Sequence, residues 1–178
     1  LEEAKGGPPR ADQFKFTNID NLYSITALGY MAGQGDLDSV TWLLKQGASV
    51  FSPFAHGRDA AWVAMEMGQP ALLEYLLRMG ADVNLSLDKL DRRTRLIEAT
   101  KMSNVEMVEI LVNKKARVGL FDNRGRTALH YNFEKDPYTE DDVAIGRLLI
   151  EWGGTPAAED LAGTTPADLA HSDIQYAI

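Results

Sequence analysis

The sequence predicts an all-α solenoid of stacked helix-turn-helix hairpins joined by finger loops. Three observations predict it. Similar ten-residue strings run from Gly35 to Leu44, from Gly68 to Leu77 and from Ser103 to Val112, each closing on an aliphatic pair. Nine residues ahead of them lie Thr26, Asp59 and Thr94, and the same register continues at Thr127 and Thr165, so the steps are 33, 35, 33 and 38 residues. Each full unit also holds two short apolar segments at helical spacing. A fixed period of a few tens of residues is the signature of a repeat array, whose units are too small to bury their apolar faces alone.

Residues 1–19, with Gly6-Gly7-Pro8-Pro9, read as a linker or lead-in. The array occupies 20–178, with repeats near 21–53, 54–88, 89–121, 122–159 and a partial or capping unit at 160–178. Repeat two shows the unit most plainly. Ala60 to Met67 forms an inner helix and Pro70 to Met79 an outer one, where Leu72, Leu73, Leu76 and Leu77 share one face. Gly68 lies between the helices and Gly80 follows as a C-cap. Small residues in the inner helices (Ala32, Ala64, Ala99) suit close packing between repeats. Repeat four carries an insertion from Glu134 to Asp142. Pro137 stops its inner helix, and Thr139 with Asp142 suggests a capping box before an outer helix from Val143 to Trp152. Repeat five has one helix and a tail, Ile174 to Ile178.

The strings Thr127-Ala128-Leu129-His130 and Thr165-Pro166-Ala167-Asp168 begin units, and Gly47-Ala48-Ser49-Val50, Gly80-Ala81-Asp82-Val83-Asn84 and Lys115-Ala116-Arg117-Val118 end them. Recurring in phase, they resemble the ankyrin repeat, and the resemblance covers residues 20 to 178. It implies a protein-binding module that works through finger tips and a concave face of inner helices. It also implies that a Thr and a His brace each turn. Only Thr127 and His130 keep both. The His register holds Gly29, Trp62, Ile97 and Asp168 elsewhere, so the first three repeats need other braces.

Composition narrows the function. The chain has 178 residues, net charge −8 and no cysteine. That charge opposes general attraction to nucleic acid or anionic membrane. Without cysteine there is no disulfide, thiolate metal site or cysteine nucleophile, which suits a reducing, cytoplasmic setting. No apolar run is long enough to span a bilayer. His56, His130 and His171 lack metal-ligand spacing, and His130 is accounted for by the repeat. Gly29, Gly33 and Gly35 follow no strand and do not form a dinucleotide loop. Asp136, Glu140, Asp141 and Asp142 do not match a calcium loop and read as a solvated acidic segment. The expectation is a monomeric array with no cofactor, no metal and no catalytic group of its own.

The resemblance places contact positions just before the Thr register: Ile25, Arg58, Arg93, Arg126 and Thr164. Arginine recurs in three successive repeats. The row either reads a carboxylate-bearing partner or pairs with Asp59, Asp91 and Asp122 as surface decoration. The two positions before the inter-helix turn are Gly33 and Gln34, Glu66 and Met67, and Lys101 and Met102, the methionines being either contact or core residues. Finger residues add Tyr23, Phe51, Phe54, His56, Phe121 and Arg124. The expected contact set is Tyr23, Ile25, Phe54, His56, Arg58, Met67, Arg93, Lys101, Met102, Phe121, Arg124 and Arg126.

The leading expectation is a module that docks a folded partner with an acidic surface. The alternative is a substrate-targeting domain of a larger enzyme. Degenerate repeats, the Pro-Gly lead-in and the lack of cysteine resemble in style the C-terminal ankyrin domains of bacterial type III secreted effectors, among them ADP-riboxanating effectors that dock on caspases. That reading implies the host cytoplasm. What lies upstream of Leu1 discriminates the two.

Overall fold

The computed structural model describes residues 15–17, 24–52, 57–86 and 91–170. The chain divides into two compact units, Leu1–Ala81 and Asp82–Ile178.

In the first unit, β1 (Lys15–Thr17) pairs antiparallel with β2 (Ser24–Thr26), so three residues of the lead-in lie in a ribbon. β2 runs into α1 (Ala27–Gln34), capped by Thr26 Oγ1, which accepts from Gly29 N–H. Then come α2 (Leu37–Lys45), α3 (Ala60–Glu66) and α4 (Pro70–Arg78). α1 packs on α2 and on α3, and α3 on α4. Ala32, Ala61 and Ala64 are fully buried, which lets the inner helices approach closely, while Leu72, Leu73, Leu76 and Leu77 bury the inward face of α4.

The second unit repeats the pattern with α5 (Arg95–Lys101), α6 (Val105–Asn113), α7 (Ala128–Phe133), α8 (Glu140–Glu151) and α9 (Pro166–Leu169). α5 packs on α6 and α7, α7 on α8 and α9, and α6 on α8. α8 starts at Glu140, three residues before the expected Val143. The capping box explains the shift. Thr139 Oγ1 accepts from Asp142 N–H while Asp142 Oδ2 accepts from Thr139 N–H, so the helix begins at the cap and not at the first apolar residue.

Repeats lacking the Thr–His pair are braced by N-caps. Asp59 Oδ1 accepts from Trp62 N–H at 2.9 Å, and Thr94 Oγ1 from Ile97 N–H at 3.2 Å. The buried Trp62 indole also donates to Glu66 Oε1 at 3.0 Å. In repeat four His130 Nδ1 accepts from Thr127 N–H, which leaves the proton on Nε2, 3.2 Å from the Thr164 carbonyl. The imidazole thus ties its own turn to the following finger.

The third repeat is set apart by its backbone. Among the described residues the non-glycines with positive φ are Arg92 (53°), Ser103 (52°) and Lys115 (68°). Arg92 stands at the register of Gly57, Gly125 and Gly163, Ser103 at that of Gly35 and Gly68, and Lys115 at that of Gly47, Gly80 and Gly153, all of positive φ. Left-handed backbone costs a residue with a Cβ roughly 1–2 kcal/mol. One repeat therefore carries the strain that the others relieve with glycine.

Candidate docking face

The arginine register is satisfied from within the chain. In the first unit Arg58 pairs with Glu66 at 3.0 Å. In the second, Arg93 lies 3.0 Å from both Asp91 and Glu98, and Arg126 reaches Glu134 at 2.6 Å and Asp160 at 3.2 Å. The Glu134 hydrogen bond holds the Arg126 guanidinium above its ordinary pKa, with Asp160 adding to it against burial. Of the expected partners Asp91 alone takes this role. Glu66 and Glu98 of the inner helices, Glu134 at the C-cap of α7 and Asp160 of the following finger take the others, because Asp59 and Asp122 are committed elsewhere. Asp59 caps α3, and Asp122 Oδ1 accepts from Arg124 N–H and Arg126 N–H.

Tyr131 stands beside this register on α7. Its hydroxyl donates to Asp122 Oδ2 at 2.5 Å. Burial first, then the Asp122 carboxylate, push the phenol up to about 12. Lys101 Nζ lies 5.6 Å from the ring centroid and the Arg126 guanidinium 5.9 Å. Lys101, Tyr131, Glu134 and Lys135 line a shallow open cleft of about 270 Å³.

Lys135 belongs to a network that pins the insertion. Its ammonium donates to the Thr100 carbonyl (2.6 Å), Ser103 Oγ (2.7 Å) and Asp142 Oδ1 (2.5 Å). Ser103 Oγ also donates to Asp142, and Tyr138 Oη reaches Asn132 and the Asp142 carbonyl. Burial pushes the Asp142 carboxyl up, but Lys135, Thr139 and Ser103 outweigh it, and the net displacement is downward.

The methionines face outward. Met67 is 60% exposed and Met102 41%, which excludes the core alternative for both. Phe121 is 52% exposed, and Phe51 and Arg124 are exposed too. Ile25 pairs through its backbone with Phe16 in the ribbon. Tyr23, Phe54, His56 and the side chain of Ile25 lie outside the described residues. Among the described residues there is no group of three or more His, Cys, Asp or Glu able to hold a metal ion. No described helix is long and apolar enough to cross a membrane. The left-handed position Arg92 is not among the residues that the sequence singles out. The signal that could have found it is its place at a register where three other repeats carry glycine.

No protein-family profile matches the chain. Among curated proteins it is similar to the phosphocholine transferase AnkX of Legionella pneumophila, at 33% identity over 53% of this chain and 10% of that protein. It is also similar to the mitochondrial disaggregase of Bos taurus, at 29% over 81% of this chain and 21% of that protein. A putative ankyrin repeat-containing protein of Treponema pallidum is 30% identical over 72% of this chain and 41% of that protein. The matches thus span well under half the length of each relative. Hairpins repeating in phase in each unit, with second-unit fingers joined edge to edge where Asn123 N–H donates to the Asp91 carbonyl and Leu161 N–H to the Arg124 carbonyl, define a helical repeat array as the class of protein. Together with these relatives they place the chain in the ankyrin-repeat family, whose general use is protein interaction.

Proposed function

We propose that the chain docks a folded protein partner on the inner-helix face and finger loops of its repeats, and that the partner presents an acidic surface. The observation that carries this reading is the outward placement of Met67, Met102 and Phe121, at positions the resemblance assigns to contact. Exposed Met and Phe carry an unfavourable hydration free energy that a covering partner relieves, and Met adapts its shape to what it meets. Within the second unit, Lys101, Arg126 and Tyr131 supply a polar rim beside Met102. The test uses two variants, M67A and M102A/F121A, each checked by circular dichroism for intact helix content. A partner captured by the wild-type chain should be released by at least one of them. Retention by both, with folding intact, overturns the reading.

A second reading has its own support: the matches to the transferase and the disaggregase cover 10% and 21% of far longer proteins. The same docking face would then deliver a substrate to a catalytic domain elsewhere in the parent protein. Fusing the chain to its parent's remaining sequence and assaying modification of the captured partner separates the two.

A further inference from the structure

The strained third repeat points to a contact that the arginine register does not supply. Two of its left-handed residues have local uses. Ser103 holds Asp142 and Lys135, and Lys115 Nζ lies 4.8 Å over the Trp152 ring centroid. Arg92 has no comparable use. It is exposed at a finger tip, and among the described residues no carboxylate or ring engages its guanidinium. Arg124, on the next finger, is exposed, and among the described residues it has no carboxylate ion pair, its charge acting on the Tyr131 phenol. The two tips are joined edge to edge, since Asn123 N–H donates to the Asp91 carbonyl at 3.1 Å. Arg93 and Arg126, a residue or two further along, are each held between two carboxylates.

Glycine at position 92 would fit the backbone better than arginine does, so the turn itself does not call for arginine. We propose that Arg92 and Arg124 are the charged contacts through which the second unit grips carboxylates on a protein partner. This rests on the docking reading above and moves its charge contact from Arg58, Arg93 and Arg126 to the finger tips. The planar guanidinium fork matches a carboxylate bidentately. Two neighbouring tips on a chain of net charge −8 make a small footprint, suited to an acidic protein patch and not to a run of phosphates.

The experiment measures melting temperature and affinity for a blocked octaglutamate peptide at low salt, using the full chain and its R92G, R92K and R124Q variants. R92G should melt higher than wild type yet bind the peptide roughly tenfold more weakly, or about 1.4 kcal/mol. R92K should keep most of the affinity and melt as wild type does. R124Q should weaken binding without raising the melting temperature. R92G and R124Q binding as wild type does would overturn the finger-tip contact while leaving the acidic-partner reading standing. If the wild-type chain ignores the peptide, both fall together. Tighter Arg92-dependent binding to duplex DNA or to phosphatidylserine vesicles would overturn the protein occupant.

Discussion

Ser103 is strained and stabilising at once. Its φ of 52° costs roughly 1–2 kcal/mol, but its hydroxyl serves a carboxylate that is 1% exposed. A hydrogen bond to a charged group is worth about 1.5–3 kcal/mol. Ser103→Gly should therefore leave stability unchanged or lower it by up to about 2 kcal/mol, measured by urea denaturation; a clear gain would mean that the hydroxyl contributes little. The register arginines differ from one another in the same way. Replacing Arg58 should cost about 0–1 kcal/mol, as for a half-buried surface pair. Arg126 bridges two carboxylates with its side chain 17% exposed, and one of them, Asp160, is 4% exposed. Arg126→Ala should thus cost more than Arg58→Ala, and equal losses would show that the bridge to the next finger is weak.

At the level of the element, α8 and the insertion before it are held by ionised Asp142. A carboxyl whose pKa is lowered on folding adds stability above its unfolded value, near 3.8, and loses it as pH falls through the folded value below that. The stability difference between wild type and Asp142→Asn should therefore be full at pH 7 and shrink below about pH 4. A difference that stays constant to pH 3 would show that shape, not charge, pins the insertion. Leu76 on α4 and Leu111 on α6 are fully buried, so truncating either to Ala should cost about 2–5 kcal/mol. A loss under 1 kcal/mol by denaturant titration for both would contradict their core role.

For the whole molecule, stability in a repeat array is close to a sum of local terms, and the described structure falls into two units. Hydrogen exchange should rise in 24–81 after Leu76→Ala and in 91–170 after Leu111→Ala, each with little change in the other unit. Uniform acceleration in both would mean that the chain unfolds as one block. Most of this architecture was legible from the sequence, because hydrophobic period and glycine register are local and repeat. The buried α4 leucines, the stop before Pro137 and the Thr139–Asp142 cap could all be read that way. The partners of the arginines could not, since they depend on which side chains the turns bring within a few ångströms. Apolar periodicity places the α8 start too late, because three acidic residues separate the Thr139 cap from the first apolar position, Val143. The left-handed turn at Arg92 could not be read either, because a residue with a Cβ occupies the glycine register there.

The joined fingers have a consequence for anyone wishing to lengthen the protein. Asn123 N–H meets the Asp91 carbonyl, Leu161 N–H meets the Arg124 carbonyl, and the next carbonyl in that register is Ala162, on an exposed residue. Among the described residues no N–H takes that carbonyl, so a consensus unit spliced after position 170 could use it for its own finger. It would not find the second tie, because Asp168 stands where His130 gives its proton to Thr164. A designer would restore the donor with Asp168→His before adding the first new unit.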